Sequence, residues 1–196
     1  GQYAVLGLNN PHQPEKGSVL RPYSIASPPE EKRWLEFYVR LVERPESDNP
    51  LTPLLWELRA GDKLHLGKKI TGRFTLASTL PEGDQRLKVF VAAGTGLAPF
   101  VSIILSYIRR GADPSQFAVL HGVRHPQDLG YREELKIIFD QLPTRYAPTV
   151  SGEMPTHHWQ GDRGRVETFF DDEKLSDLEQ RLGLTEGQLT PQRAVV

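Results

Sequence analysis

The sequence predicts two units in tandem: an antiparallel β-barrel over residues 1–84, then an α/β unit with a parallel sheet over residues 85–196. Three observations carry this. The first part holds short segments rich in β-branched and aromatic residues, separated by clusters such as Asn9-Asn10-Pro11 and Pro45–Pro50, the spacing of a barrel or sandwich. Leu80–Arg86 is polar and reads as a linker. From Leu87 onward, short apolar runs alternate with helical patterns, the mark of βαβ units on a parallel sheet.

Each element has its own signal. Gln2–Leu8, Val19–Ala26, Trp34–Val42 and Lys63–Gly67 are predicted strands, several with alternating character. Leu51–Leu58 is predicted as a helix, with Thr52 near its start and Ala60-Gly61-Asp62 closing it. Val89–Ala93 is a short apolar strand, followed by a glycine turn and a helical stretch from Leu97 to Ile108. Phe117–His121 and Ala147–Val150 are further strands, and Tyr131–Leu142 is an amphipathic helix. Arg165–Phe170 and Leu175–Leu182 are helical pieces, and Arg193–Val196 begins one more strand. Gly1-Gln2-Tyr3 starts inside an apparent strand and Ala194-Val195-Val196 stops as one begins. The expectation is therefore a fragment lacking the first barrel strands and the last strand and tail of the α/β unit, since an incomplete barrel leaves unpaired edges.

Composition narrows the classes. The formal net charge of 196 residues is -1, which gives no bulk electrostatic case for nucleic acid. Cysteine is absent, so disulfides and Cys-based metal sites are excluded. No apolar run reaches the roughly 18 residues of a spanning helix, and the N-terminus has no signal-peptide pattern. A soluble, cytoplasmic, monomeric protein is expected. His121 and His125 stand four apart, but Pro126 and the preceding strand argue against a helix, and two histidines make a poor metal site; no metal is expected. His157-His158-Trp159 reads as loop, and Asp171-Asp172-Glu173 as the solvated start of a helix, where negative charge is favoured. Ser24 lies in no G-x-S-x-G elbow, so a hydrolase nucleophile is not indicated.

Two segments could carry chemistry. Gly94-Thr95-Gly96 follows a buried strand and precedes an apolar helix opened by Ala98-Pro99. Glycines there permit a sharp turn and close approach to a pyrophosphate, while the helix start offers free N–H groups; an ordinary strand–helix turn would look the same. Pro99 suits the first helical turn. Arg21-Pro22-Tyr23-Ser24 puts a cation, an aromatic and a hydroxyl on one strand, Arg21 and Tyr23 on one face, Pro22 and Ser24 on the other. A phenol stacking on a flat cofactor and a guanidinium on phosphate would use this set; a surface strand with snorkelling Arg and Tyr is the plainer alternative.

Arg21-Pro22-Tyr23-Ser24 is similar to the R-x-Y-S motif, and Gly94–Pro99 to the G-T-G-[IL]-A-P motif, of the ferredoxin–NADP(+) reductase superfamily. Leu35–Arg40, Leu51-Thr52-Pro53, Gly61-Asp62, Gly72-Arg73-Phe74 and His121-Gly122-Val123-Arg124 resemble bacterial members in the same order. The resemblance implies that the barrel binds FAD and the α/β unit NADP, with NAD as a possible substitute. It implies that Arg21 holds the FAD pyrophosphate, that Tyr23 stacks on the isoalloxazine and that Ser24 lies near flavin N5, Tyr23 and Ser24 being the catalytic pair. Pro22, Tyr38, Val39 and Arg40 would line FAD, and Leu51 and Thr52 would help bind its phosphate. Gly94, Thr95, Gly96 and Pro99 would receive the nicotinamide nucleotide. Arg124, Ser151 and Arg165 match positions around the 2'-phosphate.

The resemblance further implies electron transfer between NADP(H) and ferredoxin or flavodoxin through hydride exchange at the flavin. Lys68, Lys69 and Arg73 are candidates for a basic rim that meets such acidic partners. One departure is visible: a Ser-Arg pair follows the third strand in bacterial relatives, whereas this chain has Ser151-Gly152-Glu153. Glu153 would repel a 2'-phosphate, and Arg163 is a candidate to compensate. Two alternatives thus stay open, an NADH-dependent flavin reductase module of a multicomponent oxygenase and a non-catalytic subunit that keeps the scaffold.

Overall fold

β1 (Tyr3–Asn9) and β2 (Ser18–Ser24) pair antiparallel over their full length, Tyr3 opposite Ser24 and Asn9 opposite Ser18. β3 (His65–Leu66) adds to the other side of β1, giving the order β2-β1-β3 with β2 at an edge. One face carries Ala4, Leu6 and Leu8 opposite Tyr23, Arg21 and Val19. Helix α1 (Thr52–Glu57) covers it, and Leu51 and Leu54 close a small core with Leu6 and Val19. The computed structural model describes residues 1–16, 18–42, 44, 46–153, 159–185, 187 and 189–196. The loop expected at His157-His158 lies outside these.

The barrel is present only in part: the antiparallel sheet has three strands among the described residues and does not close. The predicted strand Trp34–Val42 contributes one bridge, Phe37 to Ile25, beside which the Ala26 N–H donates to the Glu36 carbonyl at 2.8 Å. The ladder stops because side chains take the neighbouring backbone groups. The Glu36 N–H donates to Ser27 Oγ at 3.1 Å, and the Val42 N–H to Thr52 Oγ1 at 3.3 Å. Thr52 thus serves an adjacent segment and does not cap its own helix. An apolar groove of about 820 Å³ opens beside this sheet, its walls including Phe37, Leu64, Leu66, Ile70 and Ile103.

A short helix, α2 (Leu76–Thr79), precedes the predicted linker; Thr75 and Ser78 bond reciprocally at its start. Its single turn has no periodicity to read in sequence. Parallel strands β4 (Leu87–Ala93), β5 (Phe117–Val123), β6 (Tyr146–Val150), β7 (Asp162–Arg163) and β8 (Ala194–Val195) follow, in the order β7-β6-β5-β4-β8. All seven residues of β5 are buried, as a central strand covered on both faces requires. Phe90, Phe117 and Val119 face helices α3 (Ala98–Arg109) and α4 (Arg132–Ile138), packing on Val101, Ile104 and Leu135. Val89, Ala118 and Leu120 face the opposite way, toward Phe169 and helix α5 (Asp172–Arg181), packing on Leu178 and Leu182.

Two corrections arise here. α4 is shorter than Tyr131–Leu142 predicts, because Tyr131 takes a left-handed φ of 60° and Phe139 leaves the helical region. Val166–Phe170 forms a 3-10 turn, and α5 starts at Asp172, with Asp172 and Glu173 in its first turn. The strand β7 has no sequence signal: two polar residues, Asp162 and Arg163, pair with Thr149 and Val150.

The two sheets are tied through α3. Ser102 Oγ donates to the Ser27 carbonyl at 2.8 Å in a buried contact, and Ser106 Oγ to Glu30 Oε1 at 2.8 Å. Phe74 and Phe100 meet edge to face, their centroids 5.7 Å apart. Among the described residues no helix is long and apolar enough to cross a membrane.

Candidate functional site

Parallel strands with short connections leave a crevice beyond their carboxyl ends, where a ligand meets backbone turns and helix starts. Here a cleft of about 380 Å³ occupies that place. Gly94 and Thr95 after β4, Arg124 after β5, and Ser151 after β6 line it, together with Arg165. Tyr38 and Arg40 reach the same cleft from the first half of the chain.

Gly94 has φ +53°, a left-handed backbone that a side chain would strain. A Cβ built on Gly94 or on Gly96 meets nothing within 4 Å, so the turn keeps open room on its cleft side. A 3-10 turn over Gly94–Leu97 leads directly into α3, with Pro99 in the first helical turn. Three arginines beside such a turn suit an anionic ligand. Arg165 already pairs with Glu167 at 2.5 Å, whereas Arg124 is exposed and has no carboxylate partner among the described residues. Ser151 Oγ donates to the Val123 carbonyl at 3.2 Å.

Tyr38 is half-buried, and its phenol does not turn toward β2. Its hydroxyl donates to the Asp128 carbonyl and accepts the Gly130 N–H at 2.9 Å. The ring meets His121 and Tyr131 edge to face, at centroid distances of 6.4 and 5.8 Å. Burial raises the phenol pKa and keeps it protonated as a donor. A Cβ on Gly130 would lie 2.6 Å from Tyr38 Cε2, so glycine is needed for this approach. Gly122 likewise lets Val166 come close, at 2.8 Å from a built Cβ.

Arg21, Pro22, Tyr23 and Ser24 stand on the edge strand β2 and do not line the cleft. Tyr23 is half-buried on the core of Leu6, Val19, Leu51 and Leu54, and burial raises its pKa against the opposing effect of Arg21. Arg21, Pro22 and Ser24 are exposed; the Arg21 guanidinium bonds the Leu20 carbonyl at 2.8 Å. Val39 is half-buried, Leu51 is buried and Gly96 is exposed. The structure thus brings Tyr38, Arg40, Gly94, Thr95, Arg124, Ser151 and Arg165 to one cleft, and the Arg21–Ser24 group is not part of its lining.

Sequence reasoning missed Glu167 in the cleft wall, and it missed Gly130 and His121 as the groups that meet Tyr38. Gly130 stands in Asp128-Leu129-Gly130-Tyr131, a turn-like string that marks a close approach only once its partner is known. Gly152 is also constrained: its N–H donates to the Arg124 carbonyl at 2.8 Å, and a Cβ would sit 2.4 Å from that oxygen. Arg163, on β7, does not line the cleft.

Comparison with known proteins places these features. Residues 90–187 match the family described as oxidoreductase NAD-binding domain. The chain is 32% identical over 193 residues to a ferredoxin–NADP reductase of Azotobacter vinelandii, covering 88% of this chain and 66% of that protein. It is 28% identical over 171 residues to a Na(+)-translocating NADH-quinone reductase component of Haemophilus influenzae, covering 82% of this chain and 39% of that protein. The crystal structure of the Amycolatopsis cytochrome P450 reductase GcoB aligns with a TM-score of 0.66 at 25% identity, over 99% of this chain and 59% of that one. The chain therefore spans less than two thirds of each of these proteins.

Proposed function

The chain belongs to the oxidoreductase NAD-binding domain family, within the ferredoxin–NADP(+) reductase superfamily, and on that premise we propose that it is the core of a FAD-dependent oxidoreductase using NAD(P)H. Residues 1–84 form its flavin unit and 85–196 its nicotinamide-nucleotide unit. The observation that carries this reading is the open glycine turn that begins at Gly94, which lines a cleft with Thr95, Arg40, Arg124 and Arg165. The turn leaves room for a pyrophosphate, and the arginines supply the opposing charge.

FAD, when bound, supplies the exchange of a nicotinamide hydride for single electrons. Residues of β2 would hold it: Arg21 is exposed for phosphate, part of the Tyr23 phenol remains accessible for stacking, and Ser24 offers an exposed hydroxyl for a ring-nitrogen contact. The Tyr23 phenol stays protonated and neutral, as a stacking group should. Thr95, which lines the cleft, would lie between the two ligands, and Pro99 stands in the first turn of the helix behind it. Alignment is the main task of such a site, since reacting atoms must be held about 3–3.5 Å apart.

The electron acceptor is a ferredoxin or flavodoxin, a class whose acidic surface suits the exposed Lys68, Lys69 and Arg73. The deciding experiment is reconstitution with FAD, followed by stopped-flow reduction with NADPH and with NADH. Flavin absorbance bleached by either nucleotide is the expected result; no flavin retention, or none reduced, sinks the reading.

A second reading concerns the nucleotide. Gly152 cannot carry a side chain without displacing the Arg124 carbonyl, and the exposed Glu153 follows it. An arginine to meet a 2'-phosphate is thus missing there, which favours NADH and the kinship with the quinone-reductase component. The same stopped-flow comparison separates the two, through the ratio of the two second-order rates.

A further inference from the structure

His121 is fully buried on β5, on the face that packs against α3, and nothing in the reaction above uses it. Its Nε2 lies 3.0 Å from the Gly94 carbonyl. A carbonyl only accepts, so Nε2 carries the hydrogen and Nδ1 is left as a bare acceptor. Nδ1 has no partner among the described residues. Burial also lowers the pKa of the ring, which keeps it neutral. The edge-on contact with Tyr38 limits how the ring can turn.

The bond ends on the residue whose conformation matters most. Gly94 is left-handed and begins the turn whose cleft side is open. Beyond its chain neighbours nothing packs within 4 Å of a Cβ built on it, so the His121 bond adds a restraint from the sheet to those of the 3-10 turn itself. We propose that His121 is a positioning residue for the phosphate-binding turn: its Nε2–H bond pins the Gly94 carbonyl from inside the sheet, so that Gly94 and Thr95 keep their faces to the cleft. An acceptor in place of this donor would release the turn. The inference rests on the nucleotide reading of the cleft.

The test is calorimetric titration of the FAD-reconstituted full chain with ADP-ribose, which has the pyrophosphate but no redox-active ring. His121→Leu should weaken ADP-ribose about tenfold, while His121→Gln, whose amide can still donate to the carbonyl, should stay within about threefold of the parent. Flavin content should be equal in all three. Parent-like binding by the Leu variant overturns the proposal, as does a Gln variant as weak as Leu. Should the Leu variant not fold, nitrogen NMR of the parent decides. An Nε2–H neutral tautomer is expected at neutral pH, and an Nδ1–H tautomer overturns the proposal. Failure of the parent itself to bind ADP-ribose would instead remove the nucleotide reading, and this inference with it.

Discussion

Tyr38 and Gly130 stand 92 residues apart, and the glycine N–H meets the phenol oxygen at 2.9 Å. With the bond to Asp128, the hydroxyl is both donor and acceptor in a turn that leads into α4. Tyr38 therefore locks a segment of the first half onto the cleft beyond the parallel strands, although its motif suggests a place beside FAD.

Removing either side of this lock has a distinct cost. Tyr38→Phe removes both hydroxyl bonds while the Gly130 N–H keeps its bond to the Asp128 carbonyl at 2.9 Å, and it should lower stability by about 0.5–1.5 kcal/mol. Gly130→Ala forces a methyl against the ring and should cost about 1–3 kcal/mol. In a Tyr38→Leu background the alanine should cost less, because the blocking ring is gone. Urea denaturation of the double-mutant cycle checks this; strict additivity would refute it.

Gly94 and Gly96 should respond differently to alanine. Gly94→Ala places a side chain in the left-handed region, at about 1–2 kcal/mol of stability. Gly96→Ala has a free site and no positive φ, so stability should change by less than about 0.5 kcal/mol. If the pyrophosphate sits against this turn, a methyl at either position takes up open space beside it, so both should weaken ADP-ribose in titration. A Gly96→Ala variant with full affinity would place the phosphate elsewhere.

Nucleotide preference should follow the Ser151-Gly152-Glu153 corner. Glu153→Arg should raise the NADPH-to-NADH ratio of kcat/KM by about fivefold, the scale of one exposed charge-assisted contact. Gly152→Arg should not do so cleanly, because its Cβ would collide with the Arg124 carbonyl. Steady-state kinetics with both nucleotides distinguishes the two variants.

Acid should weaken the fold through His121. Its pKa in the folded protein lies below the ordinary 6.5, because burial disfavours the charged ring. The unfolded chain therefore takes up the proton first. The stabilisation is complete above pH 6.5 and declines as pH falls from there toward the folded value, by at most about 1.4 kcal/mol per pH unit. Carboxylates with lowered values, such as Glu30, respond further down, below their ordinary 4.5. Urea midpoints between pH 7.5 and 5.5 should fall for the parent and much less for His121→Gln.

Legibility in the sequence followed the range of the interactions. The helix from Leu97 and the strand at Phe117 are set by local apolar pattern and appear within a residue or two, as α3 and β5. The same holds for the glycine turn, whose backbone demand is written in Gly94 itself. Trp34–Val42 has strand composition, yet Ser27 and Thr52 claim its amides, a competition that no window of pattern contains. The role of Tyr38 was hidden for the same reason, since its partners lie beyond residue 120. β7 was invisible because two polar residues join the sheet by backbone alone.

Ser102 and Ser106 sit one turn apart on a helix that begins beside the cleft, and each grips the segment around residues 27–30. The helix is thus a shared axle. A shift of the segment at residues 27–30 therefore loads the helix whose start borders the cleft, and these two hydroxyls share that coupling with the Tyr38 bonds and the Phe74–Phe100 contact.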